Sequence, residues 1–422
     1  MAVSQAVRQP AFIAFAILLL ALIAAAAVLI PWQHPPTPPR TAQLDALGRL
    51  PASVVAKGKE FAVAMRPGGY LAMGVGLITA LVLGLTPLGS RIVAACGRLF
   101  GGHWLAEAVI GGLAVLLIAQ VVTLPFSAWR HTILVRYGLS TQGWGGWAVD
   151  LAKSYAITAV FGAVALAAFY GLTRLAPRLW WVFAATGAAL LVVLMSLIYP
   201  VLIEPVFNKF EPMADGPLRT ELMALAERDG VPVKDVLVAD ASRRTRAVNA
   251  YVSGIGPTRR IVVYDTLLEE APDDEVAMVV AHELGHAKDG DVVIGTALGA
   301  LGAAATVCGI AVIGGWTGLL RRAGADSITS PRAIALLLAI VAVVGLVSTP
   351  VQNLVSRRVE SRADVHAIEL TGDPDTMASM QQRLATANLS DVDPPWLLFV
   401  LFSSHPSTVQ RIAAARTYAD GG

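Results

Sequence analysis

The most informative segment of this 422-residue sequence is HELGH at residues 282–286, which has the pattern HExxH. Residues four apart on a helix lie on one face, so His282 and His286 can bind one zinc ion together. Glu283 lies beside them and can act as a general base toward a water molecule that the metal activates. The alternative interpretation is a polar helix end with two solvated histidines. We favour the metal site, because this pattern rarely arises by chance in a chain with 7 histidines.

A zinc hydrolase needs a third protein ligand and an open fourth position. Glu360, in the segment RRVESRAD at 357–364, is the candidate. Asp364 follows one helical turn later, where it can accept a hydrogen bond from a ligand histidine and fix its tautomer. His366 is the competing third ligand, and the alternative for His366 is a solvated helix residue. The expected cofactor is one zinc ion per chain.

Such a site indicates hydrolysis of a peptide bond. Zinc lowers the pKa of a water molecule and polarises the scissile carbonyl group. Glu283 then takes a proton from the water and passes it to the leaving amine. The tetrahedral oxyanion needs a stabilising group besides the metal, and His405 in the segment SSHP is a candidate.

The elements around the site follow from the local sequence. Pro272 and the acidic run at 273–275 predict the start of the helix that carries HELGH, because acidic residues stabilise a first turn. Valines at 276, 279 and 280 continue an apolar face of that helix. We therefore expect one side of the helix to pack against a core and the other to carry the ligands.

Composition places this site in a membrane protein. The chain is 55% apolar and only 15% charged, against about 25% charged in typical soluble proteins, so part of its surface faces a lipid bilayer. The net charge of +2 gives no basis for a nucleic-acid partner. Cys96 and Cys308 lie far apart in apolar sequence, which excludes a disulfide framework and a thiolate metal site. The expected partners are lipid and a peptide or protein substrate, and the oligomeric state stays open.

Seven apolar runs are long enough to span a bilayer. They are Ala11–Ile30, Gly69–Leu88, Leu105–Leu124, Ser154–Leu172, Leu179–Leu202, Val292–Leu319 and Ala333–Val355. Two of these spans separate His286 from Glu360, so both residues reach the same side of the membrane. The predicted division is spans one to five in 1–203, a soluble insert in 204–291, spans six and seven in 292–355, and a C-terminal segment with the third ligand in 356–422. The positive-inside rule leans toward a cytoplasmic insert.

Several segments occur in the order found in one known family. They are PVLIEPVFNKF at 200–210, NAYVSG at 249–254, RIVVYDTLL at 260–268, HELGH, the pair Glu360 and Asp364, and His405-Pro406 followed by Arg411. Together they resemble the type I CAAX prenyl proteases, which are seven-span zinc metalloproteases of the gluzincin kind. The resemblance covers more than half of the chain.

The resemblance implies a mainly α polytopic fold. Seven transmembrane helices would enclose a chamber, and the soluble α+β insert would combine a small sheet with the HExxH helix, followed by a helical C-terminal tail. It implies that His282, His286 and Glu360 bind zinc. Asp364 and Arg411 would support these ligands without binding the metal themselves. It also implies that Asn249 and His405 contact the substrate and the transition state. From the residues alone we would favour other roles, with Asn249 as the cap of a turn beside Ala250 and His405 as the N-cap of the terminal helix.

One segment departs from the eukaryotic pattern. AKDGD at 287–291 follows the motif where a Trp and a further His are more familiar. Arginine far outnumbers lysine, which indicates a GC-rich bacterial genome, so we expect the inner membrane of a bacterium with the site on the cytoplasmic side. Bacteria mostly lack protein prenylation.

Two substrate classes therefore compete: C-terminally lipidated, CAAX-type peptides, and damaged membrane proteins cleaved for quality control without a prenyl requirement. An alternative of another class is a transporter or channel, which leaves the HExxH motif unexplained. A catalytically silent scaffold would have no need of Glu283.

Overall fold

The computed structural model describes residues 2–33 and 35–419. Seven of its helices are long and apolar enough to cross a membrane, which confirms the predicted number of spans. The first part of the chain consists of helices joined by loops. Its helices are α1 Ala2–Leu29, α2 Arg40–Arg49, α3 Ala52–Leu85, α4 Pro87–Arg98, α5 Trp104–Ala106, α6 Gly112–Arg136, α7 Trp144–Leu175 and α8 Trp180–Ile198. A π-helical turn at Glu107–Gly111 joins α5 to α6, and a second one at Tyr199–Ile203 follows α8.

The next part of the chain forms the small sheet and the helix with the HExxH motif. Its elements are α9 Glu204–Phe207, β1 Phe210–Pro212, α10 Pro217–Arg228, β2 Asp235–Ala239, β3 Ala250–Ser253, β4 Arg260–Tyr264, α11 Asp265–Glu270 and α12 Asp273–Asp289. The last part is helical again. It contains α13 Asp291–Ile313, α14 Thr317–Arg322, α15 Ile334–Thr371, α16 Pro374–Ala387, α17 Trp396–Phe402 and α18 Thr408–Ala419.

The long helices expose apolar side chains on their outer surfaces. Leu20 on α1 is 66% exposed, Val164 on α7 is 64% exposed and Val347 on α15 is 70% exposed. In lipid this exposure is favourable, and a helix satisfies its own backbone hydrogen bonds there. The fold is that of an integral membrane protein. The chamber between the helices stays a prediction.

The bounds of two predicted spans were wrong at their C-terminal ends. The second span was predicted to reach Leu88, but α3 ends at Leu85 because Pro87 disfavours helical geometry at Thr86, whose backbone is extended. The sixth span was predicted to reach Leu319, but α13 ends at Ile313, before two glycines that are weak helix formers. Hydropathy alone cannot detect either break.

The sheet has four strands in the order β1-β2-β4-β3. Strands β2 and β4 are parallel, and the other two neighbouring pairs are antiparallel. Strand β3 is therefore an edge strand that pairs only with β4 among the described strands. Ala250, Tyr251 and Val252 of this strand line a cavity that Glu283 and His286 also line.

The helix α12 is the centre of the core beside this sheet. Its residues Val276, Met278, Val280 and Leu284 are at most 1% exposed. They belong to an apolar cluster that extends from Met213 in the insert to residues of α15, α16 and α18. The helix begins at Asp273, as the acidic run predicted, and ends at a left-handed glycine, Gly290. The core thus holds α12 rigidly against the end of α15.

Candidate metal centre

Three side chains converge where α12 meets α15. The Nε2 atoms of His282 and His286 lie 3.2 Å apart. Glu360 Oε2 lies 3.3 Å from His282 Nε2, and Glu360 Oε1 lies 3.6 Å from His286 Nε2. These two histidines and Glu360 form the His-His-Glu group that could hold a metal ion.

The spacing of the three side chains fits a tetrahedral zinc ion. Ligand atoms about 2.0–2.1 Å from such an ion lie about 3.4 Å apart, close to the separations observed here. Glu360 Oε2 is buried and has no hydrogen-bond partner among the described residues. Burial disfavours a charged imidazole, yet the neighbouring carboxylates of Asp364 and Glu360 raise the pKa of His282 to about 10. The surroundings therefore stabilise a cation at this point.

A carboxylate contacts the His282 ring at Nδ1, the nitrogen that does not face Glu360. This Nδ1 atom lies 3.0 Å from Asp364 Oδ1. Asp364 is buried and accepts a hydrogen bond of 2.8 Å from Arg411 Nε, with a second contact from Arg411 Nη2. Burial disfavours the charge on Arg411, but the Asp364 carboxylate outweighs this and raises its pKa. The two residues predicted to lie behind the ligands, Asp364 and Arg411, are thus paired with each other beside His282.

The ring of His286 has a corresponding pair of partners, to which the sequence analysis gave no role. His286 Nδ1 lies 2.9 Å from Asp291 Oδ2. Arg362 pairs with Asp291 and also lies 2.6 Å from Asp289. The one signal in the sequence was the position of Asp291 after a glycine that could end the motif helix.

Glu283 lies where two cavities meet. One cavity is about 470 Å³ and the other about 450 Å³, and both are lined by Glu283 and Glu360. Burial raises the pKa of Glu283, and the neighbouring histidines oppose this effect. A raised pKa brings a carboxylate closer to the range in which it both accepts and releases protons near neutral pH.

Asn249 and His405 both line the two cavities that meet at Glu283. Asn249 is exposed just before β3, and its side chain makes no hydrogen bond among the described residues, so it does not cap a turn. His405 Nε2 lies 3.3 Å from Glu360 Oε1, and its Nδ1 lies 2.9 Å from Ser404 Oγ. The terminal helix begins at Thr408, so His405 does not cap it.

His366, the competing third ligand, lies on another side of α12. Its Nε2 atom is 3.0 Å from Asp229 Oδ2, and its ring stands against Gly285. Asp229 also accepts a hydrogen bond of 2.7 Å from Lys288. His366 is therefore neither a member of the metal group nor a fully solvated residue.

The fold and the site together define a class: a membrane-embedded metallopeptidase whose sequence carries the HExxH pattern beside a His-His-Glu group that could hold a metal ion. Residues 212–419 match peptidase family M48, and residues 69–209 match the N-terminal region of CAAX prenyl proteases, described as five membrane helices. The chain belongs to peptidase family M48. Membership of this family implies zinc as the cofactor and proteolysis as the activity.

Similar proteins come from bacteria and eukaryotes. The chain is 34% identical to the uncharacterized metalloprotease YhfN of Bacillus subtilis, over 72% of this chain and 72% of that protein. It is 32% identical to the CAAX prenyl protease 1 homolog of Arabidopsis thaliana, over 71% of each. The crystal structure of S. mikatae Ste24p has the same fold, with a TM-score of 0.77 and 21% identity over 98% of this chain and 99% of that one. The protein is thus a membrane zinc metalloprotease, and the transporter and scaffold alternatives are set aside.

Proposed function

We propose that the protein is an endopeptidase in which His282, His286 and Glu360 bind zinc and Glu283 is the general base. The observation that carries this proposal is the meeting of two cavities at Glu283 and Glu360. A cleft that continues on both sides of the catalytic group can hold a chain on both sides of the scissile bond. An exopeptidase would need one side closed.

The chain's own residues supply most of the proposed mechanism. His282, His286 and Glu360 would hold zinc, which would supply polarisation of the scissile carbonyl and acidification of the attacking water. Glu283 accepts the proton of that water and returns it to the leaving nitrogen. Asn249 binds the substrate backbone beside β3, whose free edge can pair with an extended peptide. His405 donates a hydrogen bond to the developing oxyanion.

The backbone just before Asn249 is held in place by a residue from a distant part of the chain. The side chain of Asn388 accepts a hydrogen bond of 2.9 Å from the backbone N–H of Val248 and donates one of 3.2 Å to its carbonyl group. This pair fixes the residue that precedes Asn249. The edge of the cleft is therefore positioned before substrate binds, which reduces the entropy lost on binding.

We propose C-terminally lipidated, CAAX-type peptides as the substrate class. The relatives named CAAX prenyl protease 1 support this choice. A third cavity of about 900 Å³ also supports it, because it shares Tyr251, Val252 and Val292 with the cleft and extends to apolar side chains at the end of α8. Cleavage of damaged membrane proteins without a prenyl requirement is the alternative.

We further propose a bacterial inner membrane with the site on the cytoplasmic side. The arginines at 357, 358 and 362, just beyond the last span, support this orientation. The proposed division of the chain is a membrane part in 1–203 and 292–355 and a catalytic part in 204–291 and 356–422. Residues 1, 34 and 420–422 of this division lie outside the described residues.

The test offers a farnesylated CAAX-type peptide and its unprenylated twin to the purified protein in detergent, with products identified by mass spectrometry. Glu283→Gln should retain zinc and lose cleavage by about 10²- to 10⁴-fold, because only the base is removed. Glu269→Gln, an exposed carboxylate on α11, is the matched control. Cleavage of the lipidated peptide alone supports CAAX processing, and equal cleavage of both favours quality control. Full activity of Glu283→Gln would contradict the proposed mechanism.

A further inference from the structure

We propose that Asp291, held by Arg362, is a positioning residue for the metal ligand His286. In this proposal Asp291 accepts the Nδ1 proton of His286 and so fixes the tautomer and the orientation of the ring. The Nε2 lone pair then points at the metal. The inference rests on the proposed zinc site and adds to it two residues outside the HExxH motif and its third ligand.

The contact itself has the geometry of a charge-assisted hydrogen bond. The atoms His286 Nδ1 and Asp291 Oδ2 lie 2.9 Å apart, and the side chain of Asp291 is only 12% exposed. A carboxylate accepts but does not donate, so the proton belongs to Nδ1. The tautomer follows from that contact, and it leaves Nε2 unprotonated where it faces His282 Nε2 and Glu360.

Asp291 is itself fixed by Arg362. The guanidinium group of Arg362 contacts Asp291 Oδ1 and pairs with Asp289 on its other side. The carboxylate of Asp291 thus uses one oxygen for the arginine and the other for the histidine. A carboxylate held at both oxygens cannot rotate away from the ring, and this is what positioning requires.

The local sequence explains how a residue five positions after His286 can reach its ring. In a continuous helix, five residues advance the chain by about 140° beyond a full turn, so Asp291 would point away from His286. Gly290 interrupts the helix with φ 70° and ψ 31°. The left-handed turn at Gly290 brings the chain back, and Asp291 begins α13 beside the ring.

The other ligand histidine supports the same interpretation. His282 Nδ1 contacts Asp364, and Asp364 pairs with Arg411. Each histidine ring therefore contacts a carboxylate that is paired with an arginine. The carboxylate beside His282 comes from α15, and the one beside His286 comes from α13. Such partners of metal-bound histidines tune metal affinity by about 10- to 100-fold.

Asp291 also has a structural role that the test must separate. It is an acidic residue in the first turn of α13, where a negative charge stabilises the helix end. Loss of that effect would lower stability without changing the metal site. Asp289 provides the matched control, because it pairs with the same Arg362 and makes no contact with His286 among the described residues.

The experiment compares Asp291→Asn with Asp289→Asn in the full-length protein in detergent. We expect the zinc dissociation constant of Asp291→Asn, measured by competition with a chelator, to rise about 10- to 100-fold. The zinc dissociation constant of Asp289→Asn should stay within about threefold of that of the unchanged protein, because Asp289 and Arg362 form a partly exposed ion pair. With Co²⁺ as the probe, the visible absorption bands should shift in Asp291→Asn alone, because only that variant changes the ligand field.

Each outcome separates this inference from the zinc site itself. Equal zinc affinity in Asp291→Asn and the unchanged protein overturns the positioning role. Equal losses of zinc affinity in Asp291→Asn and Asp289→Asn also overturn the positioning role, because they show a general effect of charge near Arg362. Unchanged zinc content in His286→Ala would instead overturn the proposed zinc site, whatever Asp291 does.

Discussion

Leucine side chains have opposite environments in two regions of the molecule. Around the metal group, in the region that we call the zinc-site block (residues 210–289 and 356–419), Leu222 and Leu284 are fully buried in one core. On the long apolar helices, Leu20 and Leu190 are 66% and 62% exposed. The same residue type thus stabilises the block by leaving water and stabilises the membrane helices by contacting lipid.

Charged residues differ between the two regions in the same way. In the block, several buried charges are paired, as in Asp364 with Arg411 and Glu275 with Arg383. The long helices instead carry apolar stretches with few charged residues. The block therefore depends on specific contacts, whereas the membrane helices depend on overall hydropathy. Substitutions in the two regions should have very different effects.

The largest loss of zinc and of activity is expected on the helix that passes from one region to the other. The helix α15 exposes Val347 in its apolar half and carries Glu360 at the metal group. Glu360→Ala should lose stoichiometric zinc and reduce cleavage by more than about 100-fold, because it removes a proposed ligand rather than a partner of a ligand. Zinc content by metal analysis and peptide cleavage are the two measurements.

Glu369→Ala on the same helix is the control for Glu360→Ala, because Glu369 is exposed and lies outside the metal group. It should bind zinc and cleave peptide like the unchanged protein. Full zinc content in Glu360→Ala would show that the third ligand is another residue.

A smaller effect is expected from removing leucine side chains in the two regions. Leu222→Ala leaves a cavity in the core of the block and should lower the free energy of unfolding by about 2–5 kcal/mol. Leu20→Ala changes a side chain that faces lipid, so its effect should be about 0.5 kcal/mol or less. Thermal unfolding in detergent, followed by tryptophan fluorescence, compares the two variants directly. Similar losses of stability would mean that α1 is packed as tightly as the block.

The same contrast explains which features could be predicted from sequence. Hydropathy reports contact with lipid, so it identified the seven spans but not the full length of their helices. The helix α3 begins at Ala52, well before the predicted span at Gly69, because a polar helix can extend into water. The motif HExxH and Glu360 could be proposed from residue types, since metal chemistry restricts those types strongly.

The partners of His286 and Asn249 could not be predicted, because they depend on tertiary placement. The contact of Asp291 with His286 requires the left-handed turn at Gly290. The contact of Asn388 with Val248 joins residues 140 positions apart, and no local pattern indicates it. The roles assigned to Asn249, His405 and Arg411 stay predictions until variants are tested.

The smallest effect is expected at an ion pair between the two regions. Arg66 on α3 and Asp391 beside the cleft lie 2.5 Å apart, with side chains 23% and 14% exposed. Such a pair gains Coulomb energy but loses solvation and side-chain freedom, so its net contribution to stability is small. A double-mutant cycle with Arg66→Ala and Asp391→Ala should therefore give a coupling free energy of about 1 kcal/mol or less. The more exposed pair Arg40 and Asp393 should give a smaller coupling. A coupling above about 3 kcal/mol at Arg66 and Asp391 would mean that the pair behaves as a buried one, and that the membrane helices and the block unfold as one unit.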